Sequence, residues 1–246
     1  MTRYSYTRAP DDAAPLGMIV LQTDETLEGD LRRMIPDTTH LYVSRVPSGA
    51  DVTPDSLRAM SGHLTQAASL LPQALGYAAI GYGCTSATAQ IGAGQVAKLI
   101  RAGAQTAHVT DPLSALISAC GVLGINRLGL LSPYTADVSD RLRAALAQAG
   151  IETPVFGSFE EANEANVVRI DGASIIEAAS DLATQGGIQG IFLSCTNLRT
   201  LDLIEQVELR SGLPCLSSNQ VLGWHLGQQI DATAAIPGKL GLTRAD

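Results

Sequence analysis

The chain has 246 residues, of which 46% are apolar, 16% charged and 4% aromatic, and its formal net charge is −8. That much apolar surface builds a real core and excludes a disordered chain. The acidic balance, with no Lys/Arg cluster, excludes non-specific nucleic-acid binding, and no apolar run reaches the roughly 18 residues of a membrane span.

Residues 1–16, with Pro10 and Pro15, read as an irregular arm without the apolar stretch of a secretory signal, so a cytoplasmic protein is expected. Met18 to Gln22 is the first strand. A helix opens at Thr23-Asp-Glu-Thr-Leu-Glu28, where acidic residues suit a first turn, and Pro36 ends it. His40 to Val46 alternates and is the second strand. Val52 to Leu71 places apolar residues at helical spacing. Tyr77 to Gly81 is the third strand, and a helix runs from after Cys84 to about Ala102. Within it, Gly92-Ala-Gly94 reads as a close helix contact. Gln105 to Val109 is the fourth strand, followed by a helix from Leu113 to Leu123 that stops at Gly124.

The alternation then repeats. Strands are expected at Arg127 to Leu131, Pro154 to Phe159, Gly190 to Leu193 and Leu213 to Leu216. Helices are expected at Val138 to Ala149, Ser174 to Gln185, Leu201 to Ser211 and Asn219 to Ile230, with a loose tail from Gly238 to Asp246. Strands alternating with helices of this length indicate parallel sheets with helices on both faces. Such sheets bind ligands beyond the carboxyl ends of their strands.

Two stretches stand out. Ala78-Ala-Ile-Gly-Tyr-Gly-Cys84-Thr-Ser86 and Gly190-Ile-Phe-Leu-Ser-Cys195-Thr-Asn197 are apolar strands that end in small polar loops carrying a thiol, and the thiols lie 111 residues apart. Asp24 and Tyr134, at the ends of the first strand of each half, lie 110 apart. This offset predicts two similar lobes, residues 1–115 with 220–246 carrying Cys84 and residues 116–219 carrying Cys195, with one shared site between them. The expected fold is α/β, each lobe a parallel four-stranded sheet flanked by helices.

Of the four cysteines, Cys120 and Cys215 sit inside apolar segments and read as core. No C-x-x-C occurs and no His has a useful offset, so neither a zinc site nor a disulfide framework is expected. Gly81-Tyr-Gly83-Cys-Thr-Ser86 lacks the third Gly and the later acid of a dinucleotide loop, so no such cofactor is expected. Cys84 and Cys195 instead suit chemistry. Two thiols facing one carbon allow one to remove a proton and the other to return it on the opposite face, which is racemisation or epimerisation. Alternatively, one thiolate adds to a double bond, the bond rotates, and the second thiol serves as acid, which is cis–trans isomerisation. Thr85, Ser86, Thr196 and Asn197 supply hydroxyls and an amide for binding.

These motifs, Gly83-Cys84-Thr85-Ser86, Ser132-Pro133-Tyr134, Ser194-Cys195-Thr196-Asn197 and Ser217-Ser218-Asn219-Gln220, resemble the aspartate/glutamate racemase superfamily, in the branch of maleate cis–trans isomerase and arylmalonate decarboxylase. Ile19-Val-Leu-Gln-Thr-Asp-Glu-Thr-Leu-Glu28 is most similar to the ectoine-utilisation protein A group. The resemblance implies a cofactor-free enzyme with its site in the interlobe cleft. Cys84 would be the nucleophile or first base and Cys195 the proton donor or second base. Thr85, Ser86 and Tyr134, with amides near Cys195 and Thr196, would hold the substrate carboxylate. Arylmalonate decarboxylases have Gly where Cys84 stands, so two thiols favour isomerase or racemase over decarboxylase. Maleate isomerases carry Asn in the first loop, where this chain has Asp24. An acid there repels a dicarboxylate and welcomes a cationic group, as on hydroxyectoine, ectoine or an amino acid. A second carboxylate-binding Asn of the family is expected at Asn166 or at Asn163. The competing readings are a maleate isomerase, a decarboxylase, and a non-catalytic binding protein on the same fold. The expected partner is a small carboxylate, and a homo-oligomer is expected.

Overall fold

The computed structural model describes residues 1–9, 13–230 and 234–243. Strands β1 (Leu16–Leu21), β2 (Leu41–Val46), β3 (Tyr77–Gly83) and β4 (Thr106–Thr110) form one parallel sheet in the order β2-β1-β3-β4. Strands β5 (Arg127–Ser132), β6 (Glu152–Ser158), β7 (Gly190–Leu193) and β8 (Cys215–Ser217) form a second in the order β6-β5-β7-β8. The second order is the first with four added to each number, so the two halves share one topology. Helices cover both faces of such sheets, which is why the central strands β1 and β7 are buried at every residue and carry no polar alternation.

The helices are α1 (Leu27–Met34), α2 (Pro54–Ala59), α3 (Leu64–Ser69), α4 (Thr85–Ile91), α5 (Ala93–Gly103), α6 (Pro112–Leu123), α7 (Ala136–Gln148), α8 (Glu164–Val167), α9 (Gly172–Thr184), α10 (Ile204–Ser211), α11 (Ser218–Gly227) and α12 (Gly238–Gly241). The helix expected over 52–71 is two, joined by a 3-10 turn at Met60–Gly62. Thr53 starts α2 with a reciprocal capping box to Ser56, and Pro54 fills the first turn where its missing N–H costs nothing. The helix expected after Cys84 breaks at Gly92, whose φ of +91° suits glycine. Gly92 and Gly94 face open space, so Gly92 serves the break and the pair does not make the expected close helix contact. The tail expected to be loose forms α12, with Leu240 buried against the second core; residues 244–246, like part of the N-terminal arm at 10–12, lie outside the described residues.

Two helices tie the halves together. α6 leaves the first sheet, yet Leu113, Leu116, Ala119 and Cys120 pack with Leu128 and Leu130 of β5 and Phe192 of β7. α11 leaves the second sheet and sends Leu222 and Leu226 into the first core, while Val221 and Trp224 join the second. In each sheet the chain leaves the first strand for one edge and returns for the other, so a crevice opens at the carboxyl ends of β1/β3 and of β5/β7. Ligands bind at such switch points. The loops there carry Asp24 and Cys84 in one half and Tyr134 and Cys195 in the other.

Candidate active site

β3 approaches its neighbours closely because two of its residues lack side chains. A Cβ on Gly83 would lie 2.3 Å from Leu27 Cδ2, and one on Gly81 2.7 Å from Met18 Sδ. The Gly-Tyr-Gly pattern therefore serves strand–helix packing and delivers Cys84 to the start of α4. There the Cys84 Sγ accepts a hydrogen bond from the Ala87 N–H at 3.3 Å and takes the capping role usually held by Ser or Asp. Cys195 follows β7 with φ +117°, a region that costs a non-glycine residue on the order of 1–3 kcal/mol. Its Sγ accepts from the Asn197 N–H at 3.3 Å and lies 2.9 Å from the Tyr134 hydroxyl.

Three side chains hold the two thiol loops in register. The Thr196 hydroxyl donates to the Gly83 carbonyl at 3.1 Å. The Ser218 hydroxyl accepts from the Cys195 N–H at 3.0 Å and shares a 2.8 Å hydrogen bond with Thr85 Oγ1. Asn219 Nδ2 donates both to the Thr196 carbonyl and to Asp30 Oδ2. Asn197 completes the seam: its Oδ1 accepts from the Glu25 N–H at 2.9 Å, and its carbonyl accepts from the Thr26 hydroxyl at 2.8 Å. Cys84, Thr85, Ser86, Tyr134, Cys195, Thr196 and Asn197 are all buried.

Asp24 is buried in the same crevice. Its Oδ1 accepts from the Thr26 and Leu27 N–H groups at 2.8 Å each, which starts α1, while its Oδ2 is buried without a hydrogen-bond partner among the described residues. Burial pushes its pKa up to about 6, against which the two backbone bonds work.

Sequence reasoning missed Glu164. It sits on α8 within the acidic, outwardly polar stretch Glu160-Glu-Ala-Asn-Glu164 and is 3% exposed. The Glu164 N–H donates to the Ala50 carbonyl, and Asp51 pairs with Asn163, so this loop of the second half is fastened to the first. Its Oε1 accepts from the Tyr134 hydroxyl at 2.6 Å and its Oε2 from Asn197 Nδ2 at 2.8 Å. Asn166, the expected second binding amide, is exposed and donates to Glu161, and Asn163 caps α8 and reaches Asp51. Neither meets the thiols or Tyr134; Glu164, which lies between them, meets Tyr134. No periodicity marks a single inward turn of four residues, so Glu164 carries no signal in the sequence.

The site is acidic and closed to solvent. Burial pushes the Cys84 thiol up to about 12, and the Glu164 and Asp24 carboxylates add to this. The same causes, with burial again first, raise Cys195. Burial also raises Tyr134 and Glu164. A thiol held so high is protonated at rest. Once deprotonated it is a strong base, matched to a weak carbon acid.

The arylmalonate decarboxylase family model matches residues 16–242. Arylmalonate decarboxylase of Bordetella bronchiseptica is 30% identical over 218 residues, which cover 85% of this chain and 87% of that one. The chain belongs to the arylmalonate decarboxylase family. Maleate isomerase of Nocardia farcinica is also similar, at 24% identity over 94% of this chain and 96% of its own. The liganded form of a double mutant of arylmalonate decarboxylase superposes with a TM-score of 0.82 at 27% identity, covering 93% of this chain and 98% of that one. Within the arylmalonate decarboxylase family this chain therefore shares the two-sheet fold, and its named relatives are enzymes of two reaction types. Among the described residues, no group of three or more His, Cys, Asp or Glu side chains could hold a metal ion, and no helix is long and apolar enough to cross a membrane.

Proposed function

We propose that this protein is a cofactor-independent racemase or isomerase of a small carboxylate, with Cys84 and Cys195 as its acid/base pair. The observation that carries this reading is the placement of two buried thiols at the ends of equivalent strands, on loops joined by the Thr196–Gly83 hydrogen bond. Thr85 and Ser86 supply hydroxyls for the substrate carboxylate, while the Tyr134 hydroxyl gives its proton to Glu164. In racemisation one thiolate removes the proton beside that carboxylate. The hydroxyls hold the enolate, and the opposite thiol returns a proton to the other face. In cis–trans isomerisation the first thiolate instead adds to the double bond and leaves after rotation.

Charge narrows the substrate. Two buried carboxylates, Asp24 and Glu164, lie at this site; among the described residues Asp24 is met by two backbone N–H groups and Glu164 by a hydroxyl and an amide, and neither by a cation. A dicarboxylate would bring two more negative charges into the same volume. A compound with one carboxylate and one positive group compensates the acids and helps ionise the thiols. A cyclic amidine such as hydroxyectoine, epimerised at a ring carbon, fits this description.

Proton NMR in heavy water tests the reading on hydroxyectoine, ectoine, aspartate, maleate and phenylmalonate. Loss of a C–H signal beside a carboxylate on a zwitterionic member supports it. Fumarate from maleate would identify a maleate isomerase, and loss of carbon dioxide from phenylmalonate a decarboxylase. No exchange with tight binding of one compound would mark a binding protein.

A further inference from the structure

The Tyr134 hydroxyl has one proton and two hydrogen-bond neighbours, Glu164 Oε1 at 2.6 Å and Cys195 Sγ at 2.9 Å. It donates to the carboxylate, so the second contact is made by the Cys195 S–H donating to the tyrosine oxygen. The three groups form a continuous line of protons, S–H to O–H to carboxylate, shielded from water along its length. Asn197 holds the far carboxylate oxygen, and Asn197 is itself fixed across the seam to Glu25 and Thr26. Glu164 is thus a buried carboxylate whose direct side-chain partners among the described residues are an amide and this hydroxyl.

We propose that Glu164 is the proton acceptor for Cys195, acting through Tyr134. When Cys195 must serve as base, its thiol proton passes to the tyrosine oxygen as the tyrosine proton passes to Glu164. The products are a thiolate, an unchanged tyrosine and a neutral carboxylic acid, with net charge conserved. When Cys195 has instead given its proton to a substrate carbon, the reverse shift reprotonates it. No histidine is needed, because the line itself takes the proton during the chemical step and the thiol re-equilibrates with solvent between turnovers. Among the described residues Cys84 has no such line: its Sγ takes a backbone N–H, and its own deprotonation is left to the substrate cycle. Glu164 acts through another residue, so it is a positioning residue for Cys195.

Other titratable groups face this line. Cys84 comes from the loop after β3 and Asp24 from the loop after β1. Both are neutral or acidic, and each negative charge among them disfavours a Cys195 thiolate. A merely electrostatic Glu164 therefore suppresses the thiolate, whereas a proton-accepting Glu164 creates it, and the two roles predict different pH curves.

The inference rests on the two-thiol reading of the site, but its test needs no substrate, so it fails independently of that reading. Iodoacetamide labelling of Cys195, followed by mass spectrometry of its peptide in a Cys84→Ala background, gives its rate against pH. If Glu164 holds the proton, the rate is flat between about pH 7 and 9, because the thiolate forms within the pair and not by loss to solvent. Glu164→Gln then restores the ordinary rise of about tenfold per pH unit, and Glu164→Asp keeps the flat region at a lower level. Tyr134→Phe, which leaves the carboxylate but removes the bridge, also restores the rise and serves if Glu164→Gln does not fold. Altered access would scale these curves without changing their slope. A tenfold-per-unit rise already present with Glu164 and Tyr134 intact, unchanged or accelerated in Glu164→Gln, overturns the proposal.

Discussion

The Thr196 hydroxyl donates to the Gly83 carbonyl at 3.1 Å, so the residue after one thiol is bonded to the residue before the other. This hydrogen bond links the two thiol loops directly, and one side chain helps to set the spacing of both. Thr196→Val keeps the shape and removes the donor, leaving a buried carbonyl unpaired. We expect a loss of about 1–3 kcal/mol in stability and roughly tenfold or more in kcat/KM on the compound that turns over in the NMR panel. Denaturant unfolding and steady-state kinetics measure the two effects, and unchanged values in both would show that the bond positions nothing.

Gly83 itself tolerates no side chain. A Cβ there would press on Leu27, which is fully buried, and come within 2.9 Å of Met18 Cε. Gly83→Ala should cost about 1–3 kcal/mol by overpacking and displace Cys84 with the strand end. A melting temperature equal to the parent's would mean that α1 yields more easily than its packing implies.

Asp24 makes stability depend on pH in an unusual direction. Its folded pKa of about 6 lies above the ordinary 3.8, so between these values the folded state holds a proton that the unfolded chain has lost. Unfolding free energy therefore falls as pH rises from about 4 to 6, by up to about 3 kcal/mol, and is flat beyond. Asp24→Asn keeps an Oδ1 acceptor for the Thr26 and Leu27 N–H groups and cannot ionise. It should raise stability at pH 8 and have little effect near pH 4, as urea titrations at the two values would reveal. An equal effect at both would remove ionisation as the cause.

Much of this was legible in the sequence because the informative pattern was repetition. The 111-residue offset of the thiols maps onto β3 and β7, which occupy the same position in their sheets. The burial of Cys84, Thr85, Tyr134, Cys195 and Asn197 follows from strand ends meeting across one seam. Glu164 was not legible, because what turns it inward is a long-range pairing of Asp51 with Asn163, and such a pairing leaves no local period. The breaks at Met60–Gly62 and Gly92 show the same gap: apolar spacing continues through them, while the backbone changes course, at Gly92 through a positive φ that suits a residue without a side chain.

Cys195 carries its thiol on a backbone that favours glycine. Cys195→Gly and Cys195→Ala both delete the thiol, but only glycine relaxes at φ +117°. The glycine variant should be the more stable by about 1 kcal/mol, and chemical denaturation of the two would compare them directly. Equal stabilities would mean that the loop shifts to an ordinary conformation once the sulfur is gone.

The most direct test of the two-thiol account is the rate of solvent deuterium incorporation into the turned-over substrate, for the parent, Cys84→Ala and Cys195→Ala. Each thiol acting as acid or base predicts a fall of about 10²- to 10⁴-fold in either variant, with substrate binding kept. Parent-like incorporation in either variant would contradict the claim that both thiols carry the chemistry.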